Sequence, residues 1–495
     1  MENNMKLSDL LTDIEYVLVQ GNLDIDINNI VYDSRKAQKD DVFVCIKGTG
    51  VDGHKFIPQT IEKGVTALIV TDEVKASENI TVVKVNDDRK ALAYMSAAYF
   101  GYPANKLKTI GITGTKGKTT TTYMIRQVLE SVGIKTGLIG TIETIIGDKK
   151  IPASNTTPES YVVQQSFAKM VEEGCECVVM EVSSQGLKQN RVAGIQFDYG
   201  VFTNIEPDHI GPNEHADFNE YAHCKGLLLK QCKHGIINAD ADFLDKILDG
   251  HTCDIETYGI DNECDLKAND IELFTKPGCL CVSYNLSGEL SFPVEIHIPG
   301  KFSVYNSLCA IAICKHFTNS IEDIKKALID VKVKGRVEII PVSKRFTLMI
   351  DYAHNAMSLE SLITSLKEYN PKRIVTLFGC GGNRSAERRF EMGEVSSKLS
   401  DLTIVTSDNP RFEEPMDIIN DIITGIKKAD GEYVVVPDRK EAIKYAIVNA
   451  NDGDVIVLAG KGHEDYQEIK GVKYPMDERV LIDEIINEDE VKKIL

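Results

Sequence analysis

The sequence lacks a long apolar segment. No stretch of its 495 residues approaches the roughly 18 consecutive apolar residues that a membrane span needs. The amino-terminal segment also lacks the basic start and apolar middle of a secretory signal peptide. We therefore expect a cytoplasmic protein with no membrane partner.

Positive charge is scarce. Lys and Arg together number 56, against 75 for Asp and Glu, and the formal net charge is -19. A surface of this sign repels nucleic acids and anionic membranes. We expect no nucleic-acid partner, and any anionic ligand must be bound by a local group of positive side chains.

Cysteine pairs with the usual metal-binding spacing are also missing. The 12 cysteines include no CxxC motif, and the two CxC pairs, Cys175/Cys177 and Cys279/Cys281, lie in strand-like segments. Tetrahedral zinc sites usually separate their ligands by about two to four residues. We therefore expect free thiols in a reducing compartment rather than a zinc site.

Apolar strand-like segments alternate with amphipathic helical segments through most of the chain, which is typical of α/β domains with largely parallel sheets. The hydrophobic share of 43% and the charged share of 26% are those of a globular protein. Because a domain averages about 150 residues, we predict three domains. They span residues 1–107, 108–334 and 335–495.

A phosphate-binding loop is the strongest single motif. The predicted strand Lys108–Thr113 leads into a glycine-rich turn and a predicted helix from Lys118 to Ser131. Small residues there let backbone N–H groups surround a phosphate at a helix N-terminus. Ile112 replaces the first glycine of the strict pattern, so the loop is a shortened variant. Its predicted nucleotide-binding residues are Gly114, Thr115, Lys116, Gly117, Lys118, Thr119 and Thr120.

Within this loop, Lys118 is expected to contact the β- and γ-phosphates and Thr119 to bind magnesium. Magnesium beside phosphates also needs carboxylates. Glu181 lies near the end of the strand-like segment Cys177–Val182 and is placed as a metal-binding acid. Asp208 and His209 follow the next such segment, Tyr199–Ile205, and are candidates for the same metal shell.

The third block repeats strand-then-helix units, and unusual polar residues follow its strands. In open parallel sheets, ligands bind at the carboxyl ends of strands. The residues at these ends are Asp351, His354, Arg384, the segment Asp408–Arg411, and the segment Gly460–Glu464. The predicted fold is therefore α/β, with a small N-terminal α/β domain, a central P-loop-type ATPase domain with a parallel sheet, and a Rossmann-like C-terminal domain.

Over nearly its whole length the chain resembles the Mur ligases, the ATP-dependent amide-forming enzymes of peptidoglycan synthesis, and among them the MurE type. Asp33-Ser34-Arg35 is similar to the uridine-nucleotide segment of the N-terminal domain. Asn155-Thr-Thr-Pro158 and Ser183 to Arg191 are similar to the segments that bind the muramyl dipeptide. The resemblance implies that UDP-MurNAc-L-Ala-D-Glu contacts Ser34, Asn155, Thr156, Thr157, Ser183, Gln189 and Arg191.

The resemblance also implies a modified lysine. Composition alone favours a solvated helix residue at Lys225, but Tyr221-Ala-His-Cys-Lys225 resembles the family segment whose lysine is carbamylated by CO2. A carbamate is an anion that binds Mg²⁺, whereas an ammonium is repelled. The implied metal ligands are Thr119, Glu181, His209 and Lys225, and the implied catalytic residues are Lys118, Lys225 and His209.

In the third block the resemblance implies two sets of contacts. ATP is expected to contact Asn306, Arg336, Asp351 and His354. The amino-acid substrate is expected to contact Arg384, Asp408, Asn409, Pro410, Arg411, Gly460 and Glu464. The Arg in the Asp-Asn-Pro-Arg string accompanies meso-diaminopimelate in the family, because a guanidinium pairs with the second carboxylate that lysine lacks.

The implied activity is ATP-dependent addition of meso-diaminopimelate to UDP-MurNAc-L-Ala-D-Glu through an acyl phosphate, by a monomer. The chain departs from the family pattern at Ser303, at Ala356 and in the segment 210–215. Alternatives are the same ligation with L-lysine or another diamine, a folylpolyglutamate or cyanophycin-type synthetase, and a P-loop ATPase or binding module without ligase chemistry.

Overall fold

The computed structural model describes residues 5–48, 50–211 and 214–495. The chain divides into two compact units: the first comprises Met1–Asp265 with Cys309–Asn319, and the second comprises Leu266–Leu308 with Ser320–Leu495. Among the described residues, no helix combines the length and the apolar character that crossing a membrane requires.

The first unit contains 15 strands and eight α-helices among its described residues. The strands are β1 Met5–Lys6, β2 Tyr16–Gln20, β3 Asp26–Ile27, β4 Ile30–Val31, β5 Val42–Val44, β6 Ala67–Val70, β7 Thr81–Val85, β8 Lys108–Thr113, β9 Thr136–Ile139, β10 Glu143–Ile146, β11 Lys149–Pro152, β12 Cys177–Glu181, β13 Phe197–Phe202, β14 Cys232–Asn238 and β15 Asp254–Gly259. The helices are α1 Leu7–Leu10, α2 Ile57–Glu62, α3 Asp88–Tyr99, α4 Lys118–Ser131, α5 Ser160–Glu172, α6 Ser184–Lys188, α7 Phe218–Gly226 and α8 Leu244–Ile247.

Two main sheets organise this unit. Near the amino terminus the strand order is β2-β7-β6-β5-β4, and only β2 runs antiparallel. Within this unit the larger sheet has the order β11-β10-β9-β12-β8-β13-β14-β15. Its strands β9, β12, β8, β13, β14 and β15 are parallel, whereas β10 and β11 form an antiparallel edge. Fully buried side chains such as Phe167, Phe197 and Leu228 form its core. Because the parallel strands share one direction, their carboxyl ends lie at one edge, where ligands bind in such sheets.

The second unit contains β16 Leu266–Lys276, β17 Cys279–Gly288, β18 Phe292–Ile296, β19 Glu338–Ile340, β20 Thr347–Asp351, β21 Arg373–Phe378, β22 Leu402–Val405, β23 Tyr433–Val435, β24 Asp454–Ala459, β25 Tyr466–Ile469 and β26 Val472–Pro475. Helix α9, Lys301–Cys314, contributes residues to both units. The remaining helices are α10 Ile321–Asp330, α11 Ala356–Lys367, α12 Ala386–Leu399, α13 Pro415–Ala429, α14 Arg439–Val448, α15 Glu478–Ile486 and α16 Asp489–Lys492.

The main sheet of the second unit has the strand order β19-β20-β24-β21-β22-β23, with only β19 antiparallel. Its core includes the buried Leu348, Leu377 and Ile456. The strands β16, β17 and β18 pair antiparallel in that order, and β25 and β26 form a hairpin. The carboxyl ends of β20, β22 and β24 therefore face the same edge.

The predicted α/β class and its parallel sheets are confirmed. The strand at Lys108–Thr113 and the helix at Lys118–Ser131 have the bounds that the sequence predicts. The boundaries of two other strands are corrected: β12 ends at Glu181, and β13 spans Phe197–Phe202 rather than Tyr199–Ile205. The residues after Phe202 do not alternate between apolar and polar side chains, so the strand ends at Phe202 and not at the predicted Ile205. Within the departing segment 210–215, Pro212 and Asn213 lie outside the described residues.

Candidate active site

The glycine-rich loop joins β8 to α4. Gly114 has φ 146°, and a Cβ at that position would lie 1.9 Å from Oγ1 of Thr203. Gly117 has φ 86° and immediately precedes the first residue of α4. Both positions therefore require glycine, one for space and one for backbone conformation. Helix α4 begins directly after the turn, so the positive end of its dipole lies at the turn, which is the geometry of an anion site.

The lysines of this loop have different partners. Nζ of Lys118 donates to the carbonyl oxygens of Gly114 and Thr115, at 2.7 and 3.1 Å. Nζ of Lys116 pairs with Oε2 of Glu206 at 2.7 Å. The Lys118 amine thus lies inside the turn, where a bound phosphate would contact it. The Lys116 amine is directed to an acid outside the turn. Thr120 is buried in the first turn of α4.

Glu181, the last residue of β12, is fully buried. Its Oε2 accepts hydrogen bonds from Oγ1 of Thr119 and Oγ1 of Thr141, both at 3.0 Å, and its Oε1 accepts from the Thr141 amide at 2.8 Å. No basic side chain among the described residues forms an ion pair with it. A buried carboxylate surrounded only by hydroxyl and amide donors can accept a cation.

Lys225 lies on α7 and is 2% exposed. Its Nζ is 4.4 Å from the ring centroid of Tyr221, whose hydroxyl lies 2.9 Å from Oγ1 of Thr115. Burial lowers the pKa of the Lys225 amine well below its usual value, and the positive charge of Lys118 acts in the same direction. Tyr221 therefore connects this lysine to the glycine-rich loop, and the site favours a neutral amine.

The residues that follow β13 remain apart from this group. His209 is exposed, with Nδ1 3.0 Å from Oε1 of Glu214 and Nε2 3.7 Å from Oδ2 of Asp208. Its ring centroid is 6.3 Å from that of Tyr221. Among the described residues, no hydrogen bond or ion pair joins His209 to Glu181 or Lys225. Its role in metal binding stays a prediction.

The two segments that resemble a dipeptide site meet at Thr157. The buried Oγ1 of Thr157 donates to the Glu181 carbonyl and accepts from the Ser183 amide, both at 2.9 Å. Nη1 of Arg191 donates to the Thr157 carbonyl at 2.8 Å, and Nη2 donates to Oε1 of Gln189 at 2.7 Å. These predicted substrate residues are therefore held against the strand that carries the candidate metal-binding acid.

The other predicted substrate residues lie more loosely in the first unit. Thr156 places its Oγ1 3.1 Å from that of Thr141, while Asn155 is exposed. Ser34 is buried in a short 3₁₀ helix, and its carbonyl accepts from Nζ of Lys63 at 2.8 Å.

In the second unit, Asp351 ends β20 and accepts from the amides of Val337 and Ala353, both at 2.8 Å. Burial raises the pKa of its carboxyl, and the nearby Arg336 opposes this shift. The Arg336 guanidinium lies 5.0 Å from the ring centroid of Tyr352. Two further predicted residues are His354, an exposed side chain whose Nδ1 is 2.7 Å from the Tyr352 carbonyl oxygen, and Asn306, a buried residue of α9.

Polar residues after β22 and β24 form one hydrogen-bonded network. Nδ2 of Asn409 donates to Oε2 of Glu464 at 2.9 Å, and the fully buried Lys461 donates to Oδ1 of Asn409 at 3.0 Å and to Oε2 of Glu464 at 2.8 Å. Asp408 accepts from the Asn409 amide at 2.6 Å. Gly460 has φ 104°, and a Cβ there would lie 3.2 Å from Oδ2 of Asp408. The structure thus brings these four predicted residues together around Lys461.

Arg411 adopts the left-handed conformation, with φ 54°. Its Nε lies 3.2 Å from Oε2 of Glu468, and Nη1 donates to the Gly382 carbonyl at 2.8 Å. The guanidinium therefore has two partners and is held in one orientation. Pro410 is positioned by a close approach, since a Cβ on Gly382 would lie 1.9 Å from the Pro410 carbonyl oxygen. Arg384 is exposed, and no ion pair involves it among the described residues.

Sequence reasoning missed residues that complete these groups. Lys461 lies within the predicted segment Gly460–Glu464 and was assigned no contact of its own, although its charge was a usable signal. Glu159 follows the Asn155 segment directly, and its Oε1 lies 3.1 Å from Nε of Arg191. Thr141 and Glu468 gave no local signal, because their contacts depend on chain segments 40 and 57 residues away.

Three family models match the chain: the catalytic domain of the Mur ligase family at residues 26–102, the Mur ligase middle domain at 112–314, and the glutamate ligase domain of Mur ligases at 335–462. A Clostridium perfringens protein named UDP-N-acetylmuramoyl-L-alanyl-D-glutamate--2,6-diaminopimelate ligase is 44% identical over 97% of this chain and 99% of its own length. A Clostridium acetobutylicum protein with the same name and the suffix 1 is 44% identical over 98% of this chain and 100% of its own length.

Solved structures give the same result. A structure described as UDP-N-acetylmuramoyl-L-alanyl-D-glutamate--2,6-diaminopimelate ligase matches with a TM-score of 0.72 and 26% identity, covering 98% of this chain and 99% of the other. A Thermotoga maritima MurF ligase in complex with ADP shares the fold, with a TM-score of 0.58, 19% identity, and coverage of 94% and 98%. With similarity over nearly the full length, the chain belongs to the Mur ligase family, the ATP-dependent ligases that its sequence motifs resemble.

Proposed function

We propose that this protein is a cytoplasmic, monomeric ATP-dependent ligase that joins meso-diaminopimelate to UDP-MurNAc-L-Ala-D-Glu in peptidoglycan precursor synthesis. The observation that carries the proposal is 44% identity, over 97% of the chain, to a relative named for this reaction. The geometry around Lys118, Glu181 and Arg411 supports it.

The reaction must overcome two obstacles, because a carboxylate is a poor electrophile and an ammonium is not a nucleophile. An oxygen of the D-glutamyl carboxylate attacks the γ-phosphorus of ATP, ADP leaves, and an acyl phosphate forms. The neutral amine of diaminopimelate then attacks the acyl carbon, and the carbon–oxygen bond to the phosphate breaks. Phosphate departs with that oxygen, and the nitrogen loses a proton to give the amide. Catalysis rests on positioning the reactants and on offsetting the negative charge that develops.

The glycine-rich loop would bind the nucleotide phosphates, with Lys118 offsetting their charge and the N–H groups of α4 donating to their oxygens. Thr119 and Glu181 would hold Mg²⁺, and the fit rests on the buried Glu181 carboxylate, whose partners are hydroxyl and amide donors. The metal ion supplies positive charge next to the phosphates. We propose His209 as a further ligand, although its present partners are acids.

Lys225 would be carbamylated. Only a neutral amine attacks CO2, and burial together with the charge of Lys118 lowers the pKa of this amine. The carbamate would give the site a second anion beside Glu181 and compensate the charge of Lys118. The aromatic face of Tyr221 at 4.4 Å would position the modified side chain.

The sugar-dipeptide would contact Asn155, Thr156, Thr157, Ser183, Gln189 and Arg191, with Ser34 near its uridine end. Thr157 is the central residue, since it joins both segments and contacts the Glu181 carbonyl. This arrangement would keep the substrate carboxylate near the phosphates. In the second unit, Asn306, Arg336, Asp351 and His354 stay the predicted ATP contacts.

Diaminopimelate would be bound by the network after β22 and β24. Glu464, already paired with Lys461, would accept from a substrate ammonium, and Arg411 would pair with a substrate carboxylate. Arg384 is exposed and has space to contact the same ligand. Asp408, Asn409, Pro410 and Gly460 would shape the walls of this site.

The proposal is tested by comparing amino acids. The purified full chain is incubated with ATP, Mg²⁺, UDP-MurNAc-L-Ala-D-Glu and either meso-diaminopimelate or L-lysine, and phosphate release is followed together with product mass. We expect diaminopimelate to give a kcat/KM at least about tenfold higher, since one charge-assisted hydrogen bond contributes roughly 1.5–3 kcal/mol. Equal or faster turnover of lysine would contradict the proposed substrate, and ATP hydrolysis without the sugar-dipeptide would contradict ligase function.

A further inference from the structure

A second cluster of metal-binding groups lies on β17 and directly after β18, and it shares no residue with the sites described above. Cys279, Cys281 and His297 each offer one ligand atom, and these atoms all lie within 4.8 Å of one another. Cys281 is fully buried, while Cys279 and His297 are partly buried. The proposed ligase reaction uses none of these side chains.

Strand register explains why the three side chains converge. Cys279 and Cys281 are two residues apart on β17, so their side chains point to the same face. Val282 pairs with Ile296 of β18 in antiparallel register, which places His297, the next residue, opposite Cys281. Cross-strand partners also share a face. A CxC spacing that is unusual for zinc in sequence terms thus becomes a three-residue cluster through the neighbouring strand.

The distances match those of a coordinated metal ion. The two sulfur atoms lie 3.6 Å apart. Two thiolates bound to one tetrahedral Zn²⁺ are about 3.8 Å apart, since each Zn–S bond is about 2.3 Å. Little rearrangement is therefore needed to admit an ion between the sulfur atoms and the imidazole.

Hydrogen bonds already orient these side chains towards one another. The Cys281 thiol donates a hydrogen bond to Sγ of Cys279, so the two sulfur atoms face each other. Nε2 of His297 lies 2.6 Å from Oε1 of Glu295. Carboxylate–imidazole pairs of this kind orient histidine ligands at metal sites and leave the other ring nitrogen for the ion.

We propose that Cys279, Cys281 and His297 form a binding site for a thiophilic divalent cation of the Zn²⁺ class, with Glu295 orienting the imidazole. Two thiolates and one imidazole suit zinc better than Mg²⁺, which prefers oxygen ligands. The ion would join β17 to β18 and would leave a fourth coordination position for solvent. The site is independent of the proposed ligase reaction, because its residues lie outside the predicted nucleotide and substrate contacts.

Cobalt substitution tests this site directly. The full chain is purified with reduced thiols, treated with a chelator and titrated with Co²⁺, and the thiolate-to-cobalt charge-transfer band is recorded in the near ultraviolet. We expect one equivalent of Co²⁺ to produce the band and Zn²⁺ to displace it. Absence of the band in the wild-type protein would overturn the proposal.

Variants identify the ligands. Cys279→Ser and Cys281→Ser should abolish the band, and Glu295→Gln should weaken Zn²⁺ affinity by roughly 10–100-fold. Cys253→Ser is the matched control, since Cys253 interacts with Cys232 but no third metal-binding group joins that pair among the described residues. Should Cys281→Ser fail to fold, His297→Gln removes a ligand at a partly exposed position. A band that persists unchanged in Cys279→Ser or His297→Gln would also overturn the assignment.

Discussion

At the scale of single residues, burial of a lysine amine is the feature with the clearest chemical consequence. An ammonium inside a protein loses its hydration, so Lys225 favours the neutral form, and the nearby Lys118 strengthens this preference. A neutral amine reacts with CO2, whereas an ammonium does not. The lowered pKa of Lys225 therefore supplies the neutral amine that the proposed carbamylation requires.

Replacing Lys225 by Ala should reduce ligation by at least about a hundredfold, the scale on which one electrostatic group in an active site acts. Added bicarbonate has no amine to modify in this variant, but short carboxylic acids such as acetate should partly restore turnover by occupying the vacated space as anions. Rates are measured by phosphate release with and without the acid. Unchanged turnover in Lys225→Ala would remove the carbamate from the mechanism. Lys230→Ala, at an exposed position after α7, serves as the control.

Arg411 should determine the preference for diaminopimelate. Arg411→Ala removes the group expected to pair with the second carboxylate, so kcat/KM for diaminopimelate should fall about tenfold to a hundredfold, equivalent to roughly 1.5–3 kcal/mol. Turnover of lysine should change much less. Lys398→Ala, which removes an exposed ion pair with Glu394 on α12, should leave both rates unchanged. Equal losses for the two amino acids would argue against a role in specificity.

At the scale of helices and strands, a buried ion pair joins the parts that carry the proposed amino-acid site. Arg439 begins α14 and Glu478 begins α15, and Nε of Arg439 donates to Oε1 of Glu478 at 2.8 Å. Arg439 also donates to the carbonyl oxygens of Ser407 and Ala459, at 3.2 and 3.0 Å. These carbonyls lie just before Asp408 and Gly460. The pair therefore fixes the ends of β22 and β24.

Arg439→Met should lower the free energy of unfolding by about 3–5 kcal/mol, because Glu478 is left buried without its partner. The double variant Arg439→Met/Glu478→Met should recover much of this stability, since the fully buried Glu478 carboxylate is removed together with its partner. In both the single and the double variant, the KM for diaminopimelate should rise, because the carbonyl oxygens of Ser407 and Ala459 have lost the Arg439 donor. Urea unfolding and steady-state kinetics measure the two effects.

The matched control for this pair is Lys440→Met, which removes the neighbouring exposed ion pair with Glu484. Exposed pairs contribute roughly 0–1 kcal/mol, so little change is expected. A single Arg439→Met variant as stable as Lys440→Met, or a double variant with normal KM, would contradict the positioning role.

The sequence predicted strand β8, the glycine-rich loop and helix α4 well, because the signals for these three elements are local. Hydrophobic alternation and glycine positions specify β8, the loop and α4 without reference to distant residues. The burial of Lys225 had no such signal, and composition alone favoured a solvated lysine. Its environment is formed by Tyr221 and Lys118, and only the motif indicated an unusual role. Likewise, the partners of Arg411 and Glu181 come from segments that local patterns do not connect.

At the scale of the whole molecule, the chain combines a strongly negative net charge of -19 with proposed ligands that are themselves anions. Binding therefore depends on local groups such as Lys118 and Arg411 rather than on the overall field. The predicted domain boundaries at 107/108 and 334/335 remain predictions. The two compact units of the structure divide the chain at other positions, after Asp265 and around Cys309–Asn319. This division depends on contacts between segments that are distant in sequence, and the hydrophobic periodicity of short segments carries no information on such contacts.

For the molecule acting as a whole enzyme, the proposed acyl phosphate can be tested by following an oxygen isotope through the complete reaction. With ¹⁸O at both oxygens of the reacting D-glutamyl carboxylate of UDP-MurNAc-L-Ala-D-Glu, the released phosphate should carry one ¹⁸O atom per amide bond formed, because one of these oxygens bridges carbon and phosphorus in the acyl phosphate. Mass spectrometry of the phosphate measures the transfer. Omitting diaminopimelate should suppress steady release of labelled phosphate, while Arg411→Ala should slow release without changing the label in each phosphate. Unlabelled phosphate formed in step with amide product would mean that water, not the substrate carboxylate, receives the phosphoryl group, and the acyl-phosphate route would be wrong.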